Sequence, residues 1–230
     1  MKVSLIAHTG NPEKIVAVAA FQCHAAEGGE QILENLDESR IHRLIRKCLK
    51  AGHLSVLEHA SFTFAVEGIS RVTSHQLVRH RLASYSQQSQ RYVRLESGDE
   101  YLVPPSVRRR PSLKKRMEEF FLEASDLYSE LIRSGIPPED ARYVIPSAAA
   151  TRMVLTMNAR ELLHFFSLRL CRRAQWEIRE LASLMLNAVR AAAPELFKPA
   201  GPPCLLGQCP DGDTACEKEM RSCMTEGEMT

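Results

Sequence analysis

The residues best suited to chemistry lie in the stretch 79–94, RHRLASYSQQSQRYVR. Two arginines flank a histidine, and serines, glutamines and further arginines follow at short intervals. Guanidinium forks present several charged donors in one plane and suit phosphate, while Ser and Gln add neutral bonds to a sugar or base. Such side chains are poor core material, and they predict the floor of a nucleotide-phosphate site. On a helix, Gln76, Arg79 and His80 would fall at i, i+3 and i+4 and share one face, with Arg81 pointing elsewhere. The triplet could then address two ligands, or two parts of one. A solvated basic helix end would look the same, but Ser84, Gln87, Gln88, Ser89 and Arg91 beside it favour a nucleotide.

A second constellation is NARELLHFFSLRLCRRAQWEI, residues 158–178. Arg160 and His164 are spaced i, i+4 on one helix face, whereas Arg169 lies roughly 140° around from His164. One helix could therefore meet one ligand through Arg160 and His164 and another through Arg169. The alternative is a surface helix whose arginines pair with Glu161, Glu177 and Glu180. Glu161-x-x-His164 has the spacing of a di-iron bundle, but such a site needs a second copy and two more carboxylates. None is present, so no metal is expected there. His59 follows Glu58 and directly precedes a strand pattern, where a side chain can be shown to a pocket. His8, His24, His42 and His53 are expected to be structural or at the surface.

Several chemistries lack their signatures. The chain has no Gly-x-Gly-x-x-Gly after a strand, no P-loop and no nucleophile elbow. The pairing of His-x-Glu with Pro-Cys-x-x-Cys, which marks a zinc deaminase, is missing too. No cysteine sits among polar partners as a thiol nucleophile would. A formal net charge of +2 and 25% charged residues give no general basic surface for a polynucleotide or a membrane, so the local clustering of Arg matters more than the total.

The elements that must position these groups follow from periodicity. VSLIAH (3–8) predicts a strand before the Gly10-Asn11-Pro12 turn. Helical spacing covers 13–26, 38–51, 70–81, 112–134 and 158–192, the last stopping at Pro194. SFTFAVEG (61–68) alternates as a strand should, and RYVRL (91–95), ended by the polar ESGDE, is a second candidate. Helices dominate: the expectation is an α+β domain over 1–197, with a small, mainly antiparallel sheet and several long helices. Residues 198–230, rich in Pro, Gly, Cys and Glu, predict a poorly ordered tail. Its Cys204, Cys209, Cys216 and Cys223 contain no C-x-x-C pair; free thiols and a metal or redox clip both remain open. Cys23, Cys48 and Cys171 are expected to pack as small apolar residues. No run reaches the ~20 apolar residues of a membrane span, and the start does not resemble a signal peptide, so a cytoplasmic protein is expected.

Together the two constellations resemble the flavin-dependent thymidylate synthases. Arg79-His80-Arg81, seven residues and then Ser89 match that family's signature, followed by Gln90-Arg91-Tyr92. Asn158-Ala159-Arg160 with Leu168-Arg169, Glu58-His59, and Glu139 with Arg142 near Pro146 match as well. The resemblance spans about residues 3–197. It implies a homotetramer with active sites between subunits, binding FAD, dUMP and methylenetetrahydrofolate, with NADPH reducing the flavin. Carried over by position, Ser61, Arg79, His80, Arg81, Asn158, Arg160 and His164 would contact FAD, with His59 near flavin and folate. Gln76, Arg79, Gln87, Gln88, Ser89, Gln90, Arg91 and Arg142 would hold dUMP. Arg169 would activate the uracil ring, with no cysteine nucleophile. Gln87 stands where some relatives carry Glu, and His164 where some carry Asn; both replacements still hydrogen-bond. The rivals are an RNA-methylating flavin enzyme, which the near-neutral charge argues against, a non-enzymatic nucleic-acid module, which predicts salt-dependent binding and no bound flavin, and a catalytically inactive relative with the motif residues intact.

Overall fold

In the computed structural model, strand β1 (Lys2–His8) runs into a turn whose Asn11 takes the left-handed conformation at φ 49°. Asn tolerates that region better than most residues, and Pro12, with φ preset for a helix, opens α1 (Pro12–Gln22). After α2 (Gly29–Asn35), Asp37 caps α3 (Glu38–Ala51) by accepting from Arg40 N at 2.8 Å, and Gly52 ends it at φ 71°. A 3-10 turn, Leu54–His59, leads into β2 (Ser61–Ser70), then α4 (Arg71–Leu77) and β3 (Ala83–Gln87). Next come α5 (Pro105–Arg108), the long α6 (Pro111–Arg133), α7 (Pro138–Ala141) and a 3-10 turn at Arg142–Val144. Strand β4 (Ala150–Asn158) is followed by α8 (Ala159–Arg169), α9 (Trp176–Ala192), α10 (Pro194–Phe197) and α11 (Pro203–Leu206). The structure describes residues 1–94 and 101–207 together with Cys209, Gly212 and Cys216.

The strands form a four-stranded antiparallel sheet in the order β1-β2-β4-β3, as the α+β expectation requires. Four elements differ from those the periodicity predicts. The helix expected over 13–26 ends at Gln22, and that over 70–81 ends at Leu77. The stretch 158–192 is two helices, broken between Arg169 and Trp176, where Gln175 caps the second by accepting from Glu177 N and Ile178 N. Residues 91–94 of the candidate strand form a turn, with Val93 N donating to Ser89 O at 3.0 Å; Leu95 and the ESGDE segment lie outside the described residues. Strands β3 and β4 are not predicted at all. β4 does alternate, burying Thr151, Met153, Leu155 and Met157, but Arg and Met in its middle blur the β-branched signature.

The chain divides into two compact units, and β2 and β4 each pass from one to the other. The first unit comprises Met1–Lys2, Ala65–Arg79 and Tyr85–Val154. It buries Val66, Ile69, Leu77, Phe121, Ala124 and Tyr128, and Tyr101 stacks on Phe121 at 4.6 Å. The second comprises Val3–Phe64, His80–Ser84 and the chain from Leu155 onward. Its core is aromatic: Phe62 meets Phe197 edge-on at 5.2 Å, and Phe166 meets the same ring at 6.0 Å. Glu13 on α1 secures α10 through Oε1, which accepts from Glu195 N at 2.7 Å, and its Oε2 faces His42 at 3.4 Å. Cys48 is buried as expected, while Cys23 is exposed and Cys171 half-buried. Cys204 is buried, and that burial, followed by the charges of Cys216, Cys171 and Cys209, pushes its thiol upward. Cys223 lies outside the described residues. Among the described residues, no helix is long and apolar enough to cross a membrane.

Candidate functional site

In the second unit the site is built on α8. Asn158 is its N-cap, with Oδ1 accepting from Glu161 N at 2.9 Å. Ala159, Leu162, Phe165 and Phe166 form the buried face, and Arg160 and His164 stand exposed on the other, as their spacing predicts. Arg160 forms an ion pair with Glu58, and His59 is exposed at the end of the same 3-10 turn. Ser61, half-buried, donates its backbone N–H to Thr9 Oγ1 at 2.9 Å.

The expected shared helix face of Gln76, Arg79 and His80 does not form, because α4 stops at Leu77. Arg79 and Arg81 are exposed, whereas His80 between them is turned inward and only 4% exposed. Its Nδ1 lies 3.1 Å from Glu161 Oε1, and its Nε2 accepts from Arg169 Nε at 3.1 Å. Phe165 at 5.0 Å and His164 at 5.9 Å pack against the ring in T-shaped arrangements, so the imidazole is packed between aromatic rings as well as tied at both nitrogens. Burial, then the charges of Arg169 and His164, push the His80 pKa down to about 4. Burial also raises the Glu161 carboxyl and lowers Arg169, whose guanidinium still carries its charge at any working pH.

The expected dUMP residues Gln76, Arg79, Gln87–Arg91 and Arg142 belong to the first unit. Gln76 is half-buried on α4. Gln87 Nε2 donates to Thr151 Oγ1 at 3.2 Å, and Gln88 N donates to Arg152 O at 2.9 Å. Ser89 Oγ accepts from Arg91 N at 3.2 Å. Arg91 grips Glu139 Oε2 from Nε at 2.9 Å and from Nη2 at 2.8 Å, and Arg142 Nε donates to Glu139 O at 3.1 Å. A cavity of about 470 Å³ opens beside Gln88, Ser89 and Gln90, with Lys2, Arg71, Arg94 and Arg152 in its wall against Glu67 alone. Arg71 Nη2 donates to Gln88 O at 2.9 Å, while its Nε is buried without a hydrogen-bond partner among the described residues. Burial and then the charge of Arg142 act against the Arg71 cation. Two guanidiniums acting on one another beside such a wall make a place for an anion.

Sequence reasoning missed Glu161 and Arg71. Glu161 enters the sequence reading as a partner for arginines in the surface-helix alternative; in the structure His80 takes it up, and Arg160 goes to Glu58. A signal did exist: Glu161 sits next to Leu162 and four residues before Phe165, on the apolar side of α8, where a carboxylate needs a partner. Nothing local marks Arg71. Among the described residues, no three His, Cys, Asp or Glu side chains are grouped so as to hold a metal ion.

Residues 4–195 match the family model described as "Thymidylate synthase complementing protein". The chain is 52% identical over 220 residues to the flavin-dependent thymidylate synthase of Geobacter sulfurreducens, covering 95% of this chain and 94% of that relative. It is 44% identical to the enzyme of the same name from Clostridium tetani, over 95% and 94% of the two chains. With the one from Saccharolobus solfataricus it shares 46% identity, over 90% and 79%. These matches run through both units and both constellations. The chain belongs to the flavin-dependent thymidylate synthase family.

Proposed function

We propose that the protein makes dTMP from dUMP, taking the one-carbon unit from methylenetetrahydrofolate and reducing equivalents from NADPH by way of FAD. The reading is supported above all by the row Glu161–His80–Arg169, which holds one cation at the end of α8, the helix whose outward face carries Arg160 and His164. Membership of a family whose relatives bear that name agrees with it.

The residues present fit a flavin dinucleotide. Exposed Arg160, with Arg79 and Arg81, supplies cations for a pyrophosphate; His164 and His59 supply ring and donor surface; Ser61 and Asn158 supply short polar groups. Bound FAD would carry the hydride chemistry, and the protein's part is binding, orientation and electrostatics. His80 contributes by ordering Arg169, since both its ring nitrogens are engaged. Gln76, Arg79, Gln87–Arg91 and Arg142 hold dUMP, and the cationic cavity beside Gln88, Ser89 and Gln90 takes its phosphate, with Arg71 as an added donor. Arg169 sits at the uracil ring, where its fixed positive charge favours the ring ionised at N3. That makes C5 a better nucleophile toward the one-carbon unit. No cysteine nucleophile takes part.

The active protein is a homotetramer of the cytoplasm, in which residues 1–197 carry the reaction at sites shared between subunits and 198–230 form a tail outside them. The test is dTMP formation by purified protein given dUMP, FAD, NADPH and methylenetetrahydrofolate, omitting each in turn. Product that needs all of them supports the reading. A folded, flavin-free protein with no product refutes it.

A further inference from the structure

Among the described residues His80 is hydrogen-bonded to the Glu161 carboxyl and links it to Arg169, and the chemistry of the three side chains fixes how. An arginine Nε–H is always a donor. His80 Nε2, 3.1 Å from Arg169 Nε, must therefore offer its lone pair. A neutral imidazole has one N–H, which then belongs to Nδ1 and points at Glu161 Oε1, 3.1 Å away. If Glu161 holds a proton, it must sit on Oε2, because a proton on Oε1 would face the N–H of His80. Both donations run one way, from guanidinium to imidazole to carboxylate. The other tautomer, or a charged imidazole, would set N–H against N–H at Arg169. Phe165 and His164 pack against the ring, so it cannot escape that choice by turning.

We propose that Glu161 is a positioning residue for the reaction: by accepting from His80 Nδ1 it holds the imidazole in the Nδ1–H form, whose Nε2 then fixes the plane of the Arg169 guanidinium. This rests on the reading that Arg169 acts on the substrate ring. Nothing in the family name or match assigns Glu161 a part; its burial and its two-step link to Arg169 do. With the acceptor gone, the buried Nδ1–H loses its bond. The ring then changes to the Nε2–H form and turns a donor toward Arg169.

The test uses the flavin-loaded enzyme labelled with ¹⁵N-histidine, together with Glu161→Gln, which keeps an acceptor oxygen, and Glu161→Met, which keeps the volume without one. In the wild type, His80 Nε2 is expected to resonate as an unprotonated ring nitrogen and Nδ1 as a protonated one. Glu161→Met is expected to shift His80 toward the Nε2–H form and lower kcat by about 10- to 100-fold with flavin content unchanged, as losses of supporting hydrogen bonds do. Glu161→Gln should stay within about threefold of wild type in kcat. A wild-type His80 protonated on Nε2, or a Glu161→Met enzyme with wild-type kcat, overturns the proposal. If Glu161→Met does not fold, the wild-type spectrum and Glu161→Gln still decide. Normal turnover by Arg169→Ala would remove the underlying reading while leaving the His80 tautomer as measured, so the two failures are distinguishable.

Discussion

Glu58 and Arg160, 102 residues apart, form an ion pair in which each side chain is about half exposed, at 46% and 48%. A pair so open to solvent contributes no more than about 1 kcal/mol to stability. Replacing Arg160 by Ala should therefore leave the urea midpoint almost unmoved. Flavin retention should fall about tenfold, the loss of one charge-assisted contact to a phosphate. A large stability loss with unchanged flavin affinity would show that the pair is structural.

Replacing Arg169 by Ala should abolish turnover while flavin remains bound. Flavin absorbance of the purified variant and single-turnover formation of dTMP separate the two effects. Loss of flavin in that variant would relocate Arg169 to the cofactor site.

Arg71 is expected to act on the phosphate rather than the base. Arg71→Met should weaken dUMP binding by about tenfold, roughly one charged hydrogen bond, and leave the weak binding of deoxyuridine unchanged. Calorimetry with both ligands measures the difference; equal losses would place Arg71 at the ring or in the scaffold.

Asn158 serves α8 as its cap, so its replacement has two separable effects. Asn158→Ala should cost about 1 kcal/mol, whereas Asn158→Asp keeps the cap and the stability. If Asn158 also contacts flavin, Asn158→Asp should weaken flavin binding without lowering the melting temperature. Unchanged flavin affinity in both variants would confine Asn158 to the cap.

The buried His80 makes stability depend on pH. Unfolded, the imidazole takes up a proton near 6.5, but in the fold it refuses one until about 4. Its contribution is complete above 6.5 and is lost as pH falls from 6.5 toward 4. Glu161, raised by burial, works in the opposite sense, since its contribution is lost as pH rises. Comparing wild type with His80→Gln cancels most of that second effect. Between pH 7 and pH 5, urea unfolding of the wild type should lose about 2 kcal/mol more than that of the variant. Parallel losses would mean that His80 titrates normally in the fold.

Much of this was legible in the sequence because it rests on local periodicity. The alternation of Phe62, Phe64 and Val66 gave β2, and the i, i+4 spacing of Arg160 and His164 placed both on the open face of α8. What escaped depends on where elements stop. The face argument for Gln76, Arg79 and His80 failed because α4 ends at Leu77, and that stop sends His80 inward while its two neighbours remain in solvent. The row that includes Glu161 joins residues 81 apart, and no local pattern encodes such a meeting. Arg71 was passed over because its significance lies in a buried Nε and in its neighbour Arg142.

The seat of α10 on Glu13 bears on the order in which the protein can be made. Glu13 emerges early from a ribosome, yet the backbone groups it secures, Glu195 N and Leu196 N, come almost at the end of the family-matched region. Phe62 likewise waits for Phe197. The unit bearing α8 therefore cannot close during synthesis until nearly 200 residues are out, while every segment of the other unit is complete once Val154 has been added. Contacts of such long sequence separation fold slowly. A nascent chain stalled before residue 195 would leave its aromatic core open to chaperones and proteases, because the helix that closes it has not yet been made.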